Sequence, residues 1–279
     1  MNSKVVPTGI RKLWGKRPEK PPELDIQALE NLLPIDEHKP DDIFIVGFPK
    51  SGNTWLQNLI GGLAYGVLAE FAPPKLVHLD LVPDVHQKKV YKRYADPTFF
   101  KSHHLPRPDY RRVIYLLRDG RDAMVSYFQM RQRRKGDVDF LEMVQTGRNL
   151  FPCKWHEHVQ AWLKNPFQAE LLVMKFEDLK ADPIPQLERL CQFARLDRSR
   201  QHLELVTASC SFENLQSREK RMGRTIDKPW KDEGLFFRRG EVGSHRDEMP
   251  PEVQRAFLAE AAATLREVGY AVPESSQIP

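Results

Sequence analysis

The chain has 279 residues and a formal net charge of +5, from 43 Lys and Arg against 38 Asp and Glu. That length suits one sizeable α/β domain or two small ones, and it is enough to enclose a substantial core. The mild basicity suits an anionic ligand, but no stripe of Lys and Arg alternates with aromatics as in a nucleic-acid binder. No stretch approaches the about 18 apolar residues of a membrane span, and the N-terminus has Lys and Arg without the apolar core of a secretory signal. Three cysteines, Cys153, Cys191 and Cys210, are widely spaced and odd in number. They give no disulfide framework or zinc pattern, which fits a reducing, cytoplasmic setting.

Residues 1–40 are rich in Pro and charge and read as a partly mobile arm. Its basic part runs from Gly9 to Lys20, and a short helix over Ile26 to Leu33 is stopped by Pro34. Four apolar residues, Ile43 to Val46, predict a short buried strand. Gly47-Phe48-Pro49-Lys50-Ser51-Gly52 breaks it, and Thr54 to Leu63 is helical. Residues 64–98 read as loops with a helix from Val85 to Tyr94. Strands follow at Phe99–His103, Arg112–Leu117 and Leu171–Phe176. Between them the pattern predicts a helix starting at Ala123 with Asp122 as N-cap, a mobile polar segment over 131–150, and an amphipathic helix from Cys153 to Asn165. Helices over Ile184–Ala194 and Arg198–Val206 come next, then an irregular basic stretch over 211–248 and a closing helix over Pro251–Gly269. Arg131-Gln132-Arg133-Arg134-Lys135 reads as a solvated face, and His156-Glu157-His158 as helix surface, because it lacks the spacing of a zinc helix. Short strands alternating with helices imply parallel βαβ units, with ligands beyond the C-terminal strand ends, where Lys50, His103 and Arg118 all fall.

The turn at Gly47–Gly52 is the chemical centre. A strand, a Gly- and Pro-bearing turn with a Lys, and a helix N-terminus together make a phosphate cradle of free N–H groups, a favourable dipole and a point charge. A turn that merely joins strand to helix is the alternative. The nucleotide P-loop pattern is absent, since Lys50 precedes Gly52 instead of following it.

Six motifs then fall in order: FPKSGNTWLQ at 48–57, KSH at 101–103, RDGRDAMVSY at 118–127, WHEHVQAW at 155–162, KFEDLKADP at 175–183 and FFRRG at 236–240. With them the chain resembles the cytosolic-type sulfotransferases. These enzymes move a sulfuryl group from 3′-phosphoadenosine 5′-phosphosulfate (PAPS) to a hydroxyl or amine and release 3′-phosphoadenosine 5′-phosphate (PAP). The resemblance implies an α/β fold with a central parallel β-sheet flanked by helices, P-loop-like and related to nucleotide kinases. It places the domain over residues 41–272, between the arm at 1–40 and a tail at 273–279. Lys50, Ser51, Gly52, Asn53, Thr54 and Trp55 would bind the 5′-phosphosulfate, with Lys50 on the leaving phosphate. Trp55 and Phe176 would stack on adenine, with Cys210, Ser211 and Phe212 lining its pocket. Arg118, Ser126, Arg238, Arg239 and Gly240 would hold the 3′-phosphate, for which Arg suits bidentate contact. Asn53 departs from the Thr common in relatives, and Glu241-Val242-Gly243-Ser244-His245 departs from their Asp-Trp after the second Gly.

The resemblance also implies a His base that takes the acceptor proton as oxygen attacks sulfur in line, with Lys50 and Lys101 stabilising the charge and no metal required. Relatives read Lys-x-His-Leu-Pro, whereas this chain reads Lys101-Ser102-His103-His104-Leu105-Pro106. His103 is the choice, since it shares a strand face with Lys101, and His104 is left to the acceptor pocket with Tyr127, Phe128 and Phe236. The acceptor is then a small, lipophilic hydroxyl compound. The Lys-Thr-Val stretch that many relatives use to dimerise is not evident, so oligomeric state stays open, and no nucleic-acid partner is expected. A small-molecule kinase using ATP and magnesium, or a non-catalytic nucleotide-binding protein of the same fold, remains the alternative.

Overall fold

Side-chain alternation along four short strands builds the centre of the molecule, for which a computed structural model describes residues 31–223 and 234–273. β2 (Ile43–Val46), β4 (Phe99–Ser102), β5 (Arg112–Leu117) and β6 (Glu170–Lys175) form one parallel sheet in the order β4-β2-β5-β6. Ile43, Ile45, Ile114 and Leu116 enter one apolar cluster; Phe44, Val46, Val113 and Tyr115 enter another. Successive strand residues face opposite sides, so the sheet is packed on both faces, as parallel sheets require. One face is covered by α1 (Asn53–Tyr65), α5 (Phe176–Ala181), α6 (Pro183–Ala194) and α7 (Arg200–Ser209). The other carries α2 (Gly120–Lys135), α3 (Phe140–Thr146), α4 (Trp155–Lys164) and α10 (Pro251–Glu267). The described residues from Leu33 onward form one compact unit. Among the described residues, no helix is long and apolar enough to cross a membrane.

The register sets the site. Val46 lies opposite both Ser102 and Tyr115. The segments leaving β2, β4 and β5 therefore emerge at one edge of the sheet, and they begin at Gly47, His103 and Arg118.

Several sequence expectations are corrected. Leu32–Pro34 is a strand, β1, paired with a second strand, β3 (Val90–Lys92). The helix read over Ile26–Leu33 otherwise lies outside the described residues, and that over Val85–Tyr94 is replaced by β3. There Tyr91 is buried and Lys92 exposed, an alternation that suits a strand. Residues 76–81 form a π-helical stretch within the expected loop region. α2 begins at Gly120, and its N-cap is Asp119, whose side chain accepts from the Arg121 N–H; Asp122 is buried and engaged elsewhere. The polar segment after Met130 is mostly helical, because α2 runs on to Lys135 and α3 follows, capped by Asp139. Arg133 and Arg134 sit in the last turn of α2, where cations complement the helix dipole. Residues 211–223 are likewise ordered as α8 (Phe212–Met222), capped by Ser211, with Leu215 buried. α9 (His245–Glu248) is short. The basic arm at Gly9–Lys20 lies outside the described residues, as does the tail beyond 273.

Candidate active site

The loop between β2 and α1 has the backbone of an anion cradle. Lys50 has φ 74° and Gly52 φ 104°, both left-handed. A Cβ on Gly52 would stand 2.7 Å from the Phe176 ring, so glycine is required there by both torsion and space. α1 starts with no side-chain cap and no acidic residue in its first turn, which leaves its N–H groups and dipole unanswered. Ser51 Oγ and both polar side-chain atoms of Asn53 are buried without a partner. Each such group costs about 1–3 kcal/mol, which an oxyanion or polar ligand seated on the loop would offset.

Lys50 Nζ lies 4.2 Å above the Phe236 ring. Burial, and then the charges of Arg134, Arg118, Arg133 and Arg238, push its pKa down to about 7. Arg118 is 7% exposed, donates to Lys50 O (3.1 Å) and Glu241 O (2.8 Å), and spreads over the Phe176 ring at 4.4 Å. It therefore joins the loop, the 241 segment and the start of α5. Its Nε is buried without a partner. Ser126, two turns into α2, is half-buried. Trp55 donates from Nε1 to Cys210 O (3.0 Å) and meets Phe176 edge-on at 5.5 Å. Trp55, Phe176 and the Cys210–Phe212 corner thus form one wall, in which Ser211 is occupied capping α8. Gly240, at φ 60°, packs so closely that a Cβ there would stand 2.5 Å from the Phe212 ring. Its carbonyl accepts from Lys180. Arg238 and Arg239 both donate to Glu248 Oε1, at 2.9 and 2.7 Å. Asp122 fixes the end of this segment by accepting from the backbone N–H groups of Gly243 (2.7 Å) and His245 (2.9 Å) and from the His245 ring (2.7 Å).

On the other side of the loop lies a histidine cluster. His103 Nδ1 is 2.6 Å from Gly47 O. A carbonyl only accepts, so neutral His103 carries its proton on Nδ1 and leaves Nε2 with a lone pair. Burial and then Lys101 hold its pKa well below the ordinary histidine value, so the ring is neutral at pH 7. His86 accepts the His103 backbone N–H on Nε2 (2.9 Å), and its ring stacks on that of His103 at 5.6 Å. His158 Nε2 donates to His103 O (3.2 Å) while Nδ1 accepts from Tyr115 (2.9 Å). His158 is fully buried, which corrects its reading as helix surface. The WHEHVQAW motif held it, but nothing local marks His86, which reaches His103 only through tertiary packing. Lys101 Nζ is 2.7 Å from Asp84, both buried. His104 Nδ1 is 3.0 Å from the Tyr110 hydroxyl. Phe128 stacks on Phe140 at 4.4 Å, and Tyr127 is 2% exposed beneath Arg131. The run Arg131–Arg134, expected to be solvated, is instead half-buried and bears on Lys50.

A parallel sheet whose C-terminal edge gathers an uncapped helix N-terminus, arginines and a neutral histidine defines an α/β enzyme of anionic substrates. Residues 40–268 match the sulfotransferase domain, and the chain belongs to that sulfotransferase family. It is 25% identical over 256 residues to an amine sulfotransferase of Oryctolagus cuniculus, covering 84% of this chain and 83% of the relative. It is 29% identical over 240 residues to a 3-alpha-hydroxysteroid sulfotransferase of Cavia porcellus, covering 78% and 82%. Its fold is similar to that of retinol dehydratase in a complex with retinol and PAP, with TM-score 0.63, 20% identity and coverage of 85% of this chain and 84% of that one. A mouse sulfotransferase complexed with PAP gives TM-score 0.60 at 20% identity, covering 84% and 89%.

Proposed function

We propose that the chain transfers the sulfuryl group of PAPS to a hydroxyl or amine of a small molecule, with His103 as the base. The observation that carries this reading is the His103 Nδ1 contact to Gly47 O at 2.6 Å. It ties the ring to the first residue of the anion loop and leaves Nε2 able to accept a proton beside that loop. His104 is the weaker candidate, because its Nδ1 meets the Tyr110 hydroxyl, which can donate as well as accept, and not the anion loop.

PAPS supplies an activated sulfuryl group on a phosphate leaving group. The unpartnered Ser51 and Asn53 atoms, the free first turn of α1 and Lys50 fit its 5′ end. Gly52 and Thr54 complete that cradle. Arg118, Ser126, Arg238, Arg239 and Gly240 fit the 3′-phosphate, and Trp55, Phe176, Cys210, Ser211 and Phe212 fit adenine. His103 Nε2 receives the acceptor proton as the acceptor heteroatom bonds to sulfur. Lys50 meets the charge left on the phosphate oxygen. Burial, and then Lys101 fixed by Asp84, keep His103 neutral and ready for the proton. His104, Tyr127, Phe128 and Phe236 are the proposed acceptor-side residues. The names of the relatives, an amine and a hydroxysteroid sulfotransferase, support a small-molecule acceptor.

Calorimetric titration with PAP, with ATP as control, tests the reading. Tight binding of PAP over ATP, lost in Arg118→Ala, is expected; equal affinity for the two nucleotides would defeat it.

A further inference from the structure

One group of cations is not used by the donor site as proposed. On α2, Tyr127, Arg131 and Arg134 are four and three residues apart and so share one face. Ser126, on the 3′-phosphate side, points about 100° away from Tyr127 around the helix, and Arg134 lies about 12 Å further along the axis. A phosphate held at Ser126 is therefore not the partner of Arg134.

Arg131 lays its guanidinium 5.3 Å from the Tyr127 ring and donates to the Tyr127 hydroxyl at 3.2 Å. Tyr127 in turn packs 5.8 Å from Phe48 of the anion loop. The Nε atoms of Arg131 and Arg134 are both buried without a hydrogen-bond partner among the described residues. After burial, the charge that weighs most on Arg134 is another cation, Arg131, and Arg134 is the first charge that weighs on Lys50. Two half-buried guanidiniums with shielded Nε atoms, beside a third cation, are a favourable place for an anionic group.

We infer that the acceptor carries an oxyanion, such as a carboxylate, besides its reacting hydroxyl or amine, and that Arg134 and Arg131 receive that group. This rests on the transfer reading above and narrows the acceptor from a lipophilic molecule to an acidic one. It makes Arg134 a specificity-determining residue, with Phe236 and Tyr127 flanking the acceptor's apolar body.

The test uses the full chain, PAPS and three phenols that differ in one group: 4-hydroxyphenylacetate, its neutral amide, and tyramine. Release of PAP gives kcat/KM for each. The carboxylate is expected to exceed the amide by about tenfold or more, the worth of one charge-assisted hydrogen bond. Arg134→Gln removes that advantage, and Arg134→Glu shifts preference to tyramine. PAP affinity, measured by calorimetry at pH 6, where Lys50 already carries its proton, stays unchanged in Arg134→Gln. Equal or better use of the amide or tyramine by the unaltered chain would overturn the inference alone. So would an order that Arg134→Glu leaves untouched, or a tenfold loss of PAP affinity in Arg134→Gln, which would assign the arginine to the donor. A small-molecule extract incubated with radiolabelled PAPS gives a second readout: labelled products must carry at least two negative charges, and singly charged products contradict the inference. No transfer to any phenol or to the extract would bring down the transfer reading and this inference together.

Discussion

Lys50 couples PAP binding to proton uptake. Burial and four arginines push its pKa down to about 7, from an ordinary 10.5. At pH 8 only roughly one Lys50 in ten is then protonated in the free protein. Seating a phosphate beside Nζ supplies the missing opposite charge and returns the pKa toward its ordinary value. PAP binding at pH 8 is therefore expected to take up about 0.9 proton per site. The phosphates of PAP are themselves almost fully ionised at pH 8, given a second pKa of about 6, so they scarcely offset the uptake. The sign follows: above pH 7 each unit weakens PAP binding by up to about tenfold, because a proton has to be bound along with the ligand. Calorimetry in two buffers of different ionisation enthalpy reads the uptake directly. Lys50→Met is expected to bind PAP more weakly with no uptake. Uptake near zero at pH 8 in the unaltered chain, or uptake that persists in Lys50→Met, would refute the reasoning.

Three further outcomes are expected. His103→Ala should lower kcat by about 10²–10⁴ with PAP affinity retained, as for loss of a general base; a larger loss in His104→Ala would move the role there. Burial raises the Asp84 carboxyl, but Lys101 at 2.7 Å outweighs this and holds it well below the carboxylate range. Asp84→Asn, which strands a buried ammonium, should cost about 3–5 kcal/mol in urea unfolding. Asp122 is raised by burial but brought down to about 2 by its bonds to His245 and Gly243. Its stabilisation is complete above the ordinary carboxylate pKa and is lost as pH falls through about 2. Asp122→Ala should therefore cost about 2 kcal/mol more at pH 7 than near pH 1, which urea titrations at the two pH values would show.

Most of the parallel sheet was legible in the sequence because Ile43–Val46, Val113–Leu117 and Leu171–Met174 are unbroken apolar runs, and such runs need no partner to be recognised. The loop at Gly47–Gly52 was legible because Gly, Pro and Lys between a strand and a helix leave few conformations. Motif order carried the rest of the donor site. Short polar elements were less legible. The strand at Val90–Lys92 exists through its pairing with Leu32–Pro34, and α8 through its Ser211 cap and one buried leucine, none of which yields a periodic signal. Only tertiary structure decided which polar groups lost their water. It buried His158 under Tyr115, brought His86 onto His103 from seventeen residues away, and turned an apparently solvated basic run toward Lys50. Charge and residue type are properties of the chain alone. The carbonyl that sets the tautomer of His103, and the burial that sets the pKa of Lys50 and shields Arg134 Nε, depend on what packs around each group.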